Sequence, residues 1–283
     1  MQCDDTNIYG PGVTDCKGGI VAALLAMTAL AEVGFTARPV KLILQSDEEN
    51  NSTSSQKTTL DFMPEKAAGS IAFLNCESTR GNTAVLWRRG IARYRLEVTG
   101  KSIHASRCNE GASAIAEAAH KILALEQMKD TKALTCNCGL IEGGTADNTV
   151  PEVCTFRAEV RFNTKEEAAE ADRMVHQVAE TTYIAGTSCK VRKINSRCAM
   201  EKADRNFALL ARMNEIYAEN GLPTLTARQS LGGSDAAEIT EFGIPCVDSI
   251  GVAGDYIHPP QEYGVLSSLV AAAKRIAAVV YCI

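Results

Sequence analysis

The segment PVKLILQSDEE, from Pro39 to Glu49, joins a continuous apolar run to two adjacent carboxylates. Val40, Leu42, Ile43 and Leu44 leave no polar face, which is the composition of a strand covered on both sides in a parallel sheet. Open α/β sheets place their ligands beyond the carboxyl ends of such strands, and Glu48 and Glu49 fall there. The same residues also fit a solvated loop that leads into a helix capped by Ser52 or Thr53. The carboxylates therefore gain meaning only from what else reaches the same end of the sheet.

Upstream, the turn Tyr9-Gly10-Pro11-Gly12 and then Asp15 precede an apolar-periodic segment from about Lys17 to Val33, which Gly34 closes as a helix C-cap would. Downstream, Ile71 to Leu74 repeats the buried-strand composition and is followed by Glu77. Strand, helix and strand in alternation imply a doubly wound α/β layer. The same style resumes past Met200, with helices near Asp204 to Asn220 and Ser234 to Phe242, a strand from Pro245 to Ile250, and a final amphipathic helix from about Glu262. His258 follows that strand and a glycine-rich loop, Gly251 to Gly254.

Between these parts the pattern changes. Ala92, Tyr94, Leu96 and Val98 alternate with Arg93, Arg95 and Glu97, as in a strand with one wet face. A helix near Gly111 to Leu125, strands near Ala133 to Ile141 and Val153 to Phe162, a helix near Thr164 to Thr182 and a strand near Ser188 to Ile194 follow. The order βαββαβ is that of a ferredoxin-like α+β domain inserted into the first. The expected division is 1–89 and 199–283 for the α/β domain and 90–198 for the insert, with short hinge-like crossings near Arg89 and Cys198.

A chain of 283 residues, 46% hydrophobic and 22% charged, can bury two cores. With a net charge of −5 and no basic cluster interleaved with aromatics, it is not shaped for nucleic acid. The most apolar stretch, Ile20 to Val33, contains Glu32 and is short for a bilayer, so it reads as a buried helix and no membrane partner is expected. The eleven scattered cysteines fit reduced thiols in a cytoplasm. Cys136 and Cys138 share one strand face and read as small core residues rather than metal ligands. Neither a phosphate-binding G-x-x-x-x-G-K-[ST] nor a strand-linked G-x-G-x-x-G is present, which disfavours a nucleotide binder.

Asp15, in GVTDCKGG, suits a helix N-cap as well as a ligand. A single histidine such as His258 is more often structural than ligating. Asp15, Glu49, Glu77 and His258 all following short strands or glycine-rich turns of one sheet is the placement that points to a metal.

The successive segments YGPGVTDCKGG, SDEENNS, NCESTRG, GKSIHAS, GGTADNTVP, EVRF, LGGSDAAE and IHPPQEYG resemble, in order, the motifs of the dinuclear zinc exopeptidase and deacylase family. That family includes glutamate carboxypeptidase, aminoacylase, acetylornithine deacetylase and succinyl-diaminopimelate desuccinylase. The resemblance implies a zinc-exopeptidase-like catalytic domain with an inserted dimerisation domain. It implies that Asp15 bridges two divalent cations, zinc with cobalt or manganese as alternatives. Glu49 and His258 would hold one cation, Glu77 the other, and Glu48 would be the general base. His104 would reach the active site of a partner subunit in a homodimer. Asn148, Arg161 and Arg197 would contact a substrate carboxylate, with Arg192 or Lys193 as alternatives to Arg197. Gly232, Gly233 and Ser234 would form a backbone-donating turn near substrate or metal, Ser234 serving equally as an N-cap.

The implied activity is hydrolysis of an amide next to a free carboxylate, in a small peptide or an N-acyl amino acid. The chain departs from the pattern in lacking a His-x-Asp segment, so the second cation would keep only Asp15 and Glu77. The expected reason is a sequence that starts after that segment, with Met1 an internal methionine and some apolar sheet surface left uncovered. A non-catalytic relative that dimerises and binds at most one metal is the reading of another class. Cys16 beside Asp15 could ligate, or simply be buried.

Overall fold

The computed structural model describes residues 2–130 and 134–283. The residues up to Arg88 together with Met200–Ile283 form one compact unit, and Arg89–Ala199 form the other. Along the first unit run β1 (Gln2–Cys3), β2 (Asn7–Tyr9), α1 (Gly18–Glu32), α2 (Thr58–Ala67), β3 (Phe73–Leu74) and β4 (Thr83–Arg88). The second unit holds β5 (Gly90–Thr99), α3 (Ala114–Glu126), β6 (Thr135–Gly143), β7 (Val153–Phe162), α4 (Lys165–Glu180) and β8 (Ser188–Arg197). The chain then returns with α5 (Asp204–Glu219), β9 (Thr226–Ser230), α6 (Ala236–Glu241), β10 (Cys246–Val247), β11 (Gly254–Asp255), β12 (Tyr263–Val265) and α7 (Leu266–Cys282).

In the first unit, Ala22, Ala26 and Leu30 recur at helical spacing on one face of α1 and are buried. Ala22 and Ala26 share a core with Ala272, Ala273, Ile276 and Val279 of α7, with Leu209, Leu210, Met213 and Tyr217 of α5, and with Ala84 and Leu86 of β4. Alanines on both α1 and α7 let the two backbones come close. Each fully buried Leu or Ile in such a core contributes about 1.5–3 kcal/mol. Gly34 adopts φ +67 and its N–H reaches the Ala31 carbonyl at 3.0 Å, ending α1 as expected. By length and composition the stretch Val13–Glu32 is apolar enough to cross a membrane. One face of it lies in the core just described; Val21, Leu24 and Leu25 on the rest are exposed.

The sheet elements of this unit are short. β3 pairs in parallel with β10, β4 pairs in parallel with β9, and a bridge between Val85 and Asp248 ties the two pairs. A separate antiparallel sheet, in the order β1-β2-β12-β11, brings the N-terminal hairpin beside the chain that follows His258. Four expectations change here. Pro39–Leu44 carries no ladder: it pairs with no strand among the described residues, and Leu44 is left 61% exposed. The strand expected over Pro245–Ile250 is confined to β10, because past it the chain turns to pair Asp248 with Val85 and Ser249 takes φ +60. The last helix starts at Leu266, since Tyr263–Val265 is drawn into the sheet against β2. Ser52 and Thr53 cap no helix either: α2 begins at Thr58, after left-handed turns at Gln56 and Lys57.

The second unit follows its pattern closely. Ala92, Tyr94, Leu96 and Val98 of β5 face inward and join Cys154, Phe156, Ala158 and Val160 of β7 under α3 and α4. The four strands are antiparallel in the order β6-β7-β5-β8, the ferredoxin-like arrangement. Ser113 and Thr164 accept the N–H groups of Ala116 and Glu167 at 3.1 Å, capping α3 and α4. Ala133, where the sequence starts a strand, and Met1 lie outside the described residues. Cys136 is buried and Cys138 packs against this core, as small core residues would.

Between α3 and α4 sits an ion pair buried on both sides, Lys121 Nζ to Glu117 at 2.9 Å. Lys121 also donates to the carbonyls of Val178 and Ala179, closing the C-terminal end of α4. Glu117 accepts the N–H groups of Tyr183 and Ile184 at 2.9 and 2.6 Å. Every charge in the pair is hydrogen-bonded several times over, the condition under which a buried pair is tolerated.

Candidate metal centre

The loop that carries Asp15 is shaped by glycine and fixed by a distant acid. Gly12 takes φ +76, and the carboxylate of Glu262, 2% exposed, accepts the N–H groups of Gly12 (2.7 Å), Thr14 (2.8 Å) and Asp15 (3.1 Å). Thr14 Oγ1 donates to the Tyr263 carbonyl at 2.7 Å. Gly19, at the start of α1, packs against the chain at Cys76: a Cβ there would lie 1.9 Å from the Cys76 carbonyl oxygen. Only glycine permits this approach, which sets the Asp15 loop beside Glu77.

Three ligand atoms converge. His258 Nε2 is 3.1 Å from Glu49 Oε2 and 3.4 Å from Asp15 Oδ2, and the three groups offer atoms all within 4.8 Å of one another. His258 is held at φ +78, an unfavourable backbone for a non-glycine residue, which costs on the order of 1–3 kcal/mol and persists only where the surroundings impose it. Glu48 and Glu49 lie in a short 3-10 turn, anchored by Asp47, whose Oδ2 accepts the Ser55 N–H at 2.8 Å. That bond holds the Asp47 carboxyl below the usual range.

The Glu77 carboxyl is pushed well above the usual range by burial, then by the charge of Asp248, by hydrogen bonding with Asp15 and by the charges of Asp15 and Glu48. Glu49 is raised by burial and by Asp15, with His258 opposing. Crowded carboxylates beside an imidazole are what a divalent cation relieves, and the oxygen and nitrogen donors suit zinc, cobalt or manganese. The residues present fit a metal. Burial and neighbouring carboxylates also push the thiols of Cys16 and Cys76 up, Cys76 to about 12, so both are neutral thiols. Cys16 and Cys76 stay outside the three-residue cluster found among the described residues.

Behind Glu77 lies a buried network that the sequence reading did not single out. Arg88 Nε meets Asp248 Oδ2 at 2.5 Å, and its other nitrogens donate to Ser230, Ser249 and the carbonyls of Gly232 and Gly233. Asn75 Nδ2 donates to Ser234 Oγ and to Asp248 Oδ1, both at 2.9 Å. The turn Gly232-Gly233-Ser234 was expected to present backbone donors; the structure shows its two glycine carbonyls engaged by Arg88. Ser234, 1% exposed, accepts the Ala236 N–H as a cap would.

The remaining candidates belong to the second unit. His104 and Asn148 sit on adjoining loops, joined by the Ala105 N–H to the Asn148 carbonyl at 2.8 Å and a bridge between His104 and Thr149. His104 Nδ1 accepts the Ser106 N–H at 3.2 Å, so in the neutral ring the proton belongs on Nε2, the outward donor. Arg161 grips Glu159 on its own strand through Nε at 2.8 Å and a second nitrogen at 2.7 Å. Arg197 is buried at the end of β8, opposite Ile91. His120 and His176 are on α3 and α4, where His120 stacks on Tyr183 and His176 lies 2.8 Å from the Asp172 carbonyl.

Glu262, Arg88, Asp248 and Asn75 were missed because they act through backbone groups and one another. The acid in HPPQEYG is the one signal for Glu262, and its position suits the start of a helix equally well.

Residues 86–187 match the model of the M20 peptidase dimerisation domain. The chain is 28% identical to carboxypeptidase G2 of Pseudomonas sp. (strain RS-16), over 95% of its own length and 65% of that protein's. It is 26% identical to a succinyl-diaminopimelate desuccinylase of Cereibacter sphaeroides, over 90% of its length and 69% of the other. The fold superimposes on aminopeptidase PepT from Bacillus cereus with a TM-score of 0.80 at 22% identity, covering 99% of this chain and 75% of that one. The chain thus spans about two thirds of the length of the curated relatives it matches.

Proposed function

The chain belongs to the M20 peptidase family, and from that membership we propose that it hydrolyses an amide bond next to a free carboxylate, as a carboxypeptidase-like or dipeptidase-like enzyme. The convergence of Asp15, Glu49 and His258 beside Glu48 carries this reading. Deacylation of an N-acyl amino acid is the second reading, favoured by the similarity to a desuccinylase. A non-catalytic protein that binds at most one metal is the reading of another class; its support is that a second cation would find only Asp15 and Glu77.

In this proposal Asp15, Glu49 and His258 would hold one divalent cation and Asp15 and Glu77 would contribute to a second, with zinc first and cobalt or manganese as alternatives. Such cations supply Lewis acidity and a water ionised near neutral pH. Glu48 takes the proton of the attacking water and returns it to the leaving amine, a role that requires reach and a basic oxygen rather than metal ligation. His104, reaching in from a second copy, donates its Nε2–H to the developing oxyanion. Asn148, Arg161 and Arg197 hold the substrate carboxylate; for Arg161 this means releasing or sharing Glu159. The domains would be 1–89 with 199–283 for catalysis and 90–198 for homodimerisation. Eleven free thiols support a reducing, cytoplasmic setting.

The test is Glu48→Gln, assayed on dipeptides and N-acyl amino acids with bound metal measured on the same sample. Turnover should fall by roughly 10²–10⁴-fold with metal content unchanged. A variant that keeps its turnover removes Glu48 from the mechanism, and an inactive wild type with one metal or none supports the non-catalytic reading.

A further inference from the structure

The wet face of the second unit's sheet carries a row of like charges. Arg95 of β5 lies directly opposite Arg157 of β7 on one side and Arg192 of β8 on the other. Residues directly opposite in antiparallel strands project from the same face, so three guanidinium groups stand in line across three neighbouring strands. At the usual strand spacing they follow one another in steps of about 5 Å. Arg95 is balanced by Glu97 on its own strand at 2.8 Å. Arg157 and Arg192 are exposed, and among the described residues neither has an ion-pair or hydrogen-bond partner.

Like charges placed directly opposite destabilise a sheet. In the adjoining row the arrangement is the opposite: Arg93 lies opposite Glu159 and meets it at 2.8 Å, and Arg161, two residues along β7, meets the same acid at 2.8 Å. On the far side of the row, Glu97 faces Lys190. Arg157 and Arg192 are thus left uncompensated on either side of Arg95, between rows that are compensated. Folding gains nothing from this, whereas an anionic ligand would.

The geometry points to a docking surface for an extended acidic peptide segment, its carboxylates paired with Arg157 and Arg192 and steered by Arg95. A guanidinium binds both oxygens of a carboxylate in a fork. Side chains on one side of an extended peptide recur about every 7 Å, within reach of arginines that stand about 5 and 10 Å apart. Nucleic acid fits less well. Four-stranded sheets of this topology that bind RNA stack bases on aromatic side chains of the open face, and Tyr94, Phe156 and Phe162 of β5 and β7 all face the core. This docking does not rest on the proposed hydrolysis, although Arg161, proposed there to hold a substrate carboxylate, and Arg192, the alternative to Arg197 in that role, share this face.

The test is fluorescence anisotropy of a labelled hexaglutamate peptide titrated with the full chain, alongside a single-stranded RNA hexamer. The variants are Arg157→Gln with Arg192→Gln, and Arg157→Lys with Arg192→Lys. Saturable peptide binding that weakens with salt is expected, at least tenfold weaker in the glutamine pair and intermediate in the lysine pair, which keeps the charge and loses the fork. Without peptide, the glutamine pair should melt at the same or a higher temperature, since repulsion has been removed. The inference is overturned by absence of saturable binding to the wild type, by undiminished binding in the glutamine pair, by RNA binding as tight as the peptide, or by a lowered melting temperature, which would mark the arginines as structural. It is equally overturned if self-association in sedimentation is what the glutamine pair abolishes, because the face would then meet a second copy.

Discussion

The N–H of Asp15 donates to Oε1 of Glu262, 247 residues further along the chain, at 3.1 Å. With the parallel bonds from Gly12 and Thr14, one buried carboxylate fixes the loop that carries the shared corner of the candidate centre. It also ties that loop to the segment that follows His258. The two ligand-bearing stretches are therefore positioned by one side chain that touches no ligand atom itself.

Replacing that acid tests the dependence. Glu262→Gln keeps the size but turns one acceptor into an NH₂ group facing backbone N–H donors. Metal affinity should fall roughly ten- to a hundredfold, as for other residues that orient ligands, with the melting temperature also lowered. Isothermal titration with zinc reads the first effect; an unchanged affinity would show that the Asp15 loop holds its shape unaided.

The Arg88–Asp248 pair is 8% and 0% exposed at its side chains, so breaking it leaves a charge in the core. Arg88→Met should destabilise by about 3–5 kcal/mol, the usual consequence of removing one partner of a buried pair. Changing both residues, Arg88→Met with Asp248→Leu, should recover part of that loss. Denaturant unfolding of the three proteins decides it: a double variant no better than the single one would mean that Arg88 matters for the Gly232–Ser234 turn rather than for Asp248.

Acid should weaken the second unit through Glu117. Burial pushes its carboxyl up, but Lys121 and the N–H groups of Ile184 and Tyr183 outweigh it, and the net shift is downward from 4.5. A folded value below the unfolded one means stability that is present above about pH 4.5 and lost as pH falls through the folded value. Melting followed between pH 6 and pH 3 should show this loss, and Glu117→Gln should flatten the slope. An identical slope in the variant would place the acid sensitivity elsewhere.

Metal loading should release protons. The Glu77 carboxyl, raised by burial and by neighbouring acids, keeps its proton to higher pH than an ordinary glutamate, and a cation must displace it. Zinc titration in weakly buffered solution at a series of pH values should acidify the sample up to a higher pH than an ordinary glutamate would allow, and Glu77→Gln should reduce the protons released per metal bound. Equal release from the variant would exclude Glu77 as their source.

The second unit was legible because its strands have one dry and one wet face. Alternation such as Ala92, Tyr94, Leu96 and Val98 against Arg93, Arg95 and Glu97 fixes strand, register and face together. Pro39–Leu44 misled for the opposite reason: a run apolar on every side says what should cover it but not what does, and no ladder partner lies beside it among the described residues. Asp15, Glu49 and His258 could be named from their positions after strands and glycine turns. Glu262 could not, since an acid that accepts backbone N–H groups leaves no spacing pattern when its donors lie about 250 residues away. The Arg88 network was hidden likewise, its partners Ser230, Gly232, Asp248 and Ser249 being close only after folding.

The thiols beside the candidate centre give the chain an internal gauge of its own integrity. Cys16 and Cys76 are held neutral by burial and nearby acids, whereas Cys3 and Cys108 are exposed. Because alkylation needs the thiolate and access to it, brief treatment with iodoacetamide at neutral pH marks the exposed pair and spares the shielded one while the Asp15 loop is closed. Peptide mapping that finds Cys16 or Cys76 labelled then reports that this corner of the molecule has opened, in any preparation and without an assay for turnover.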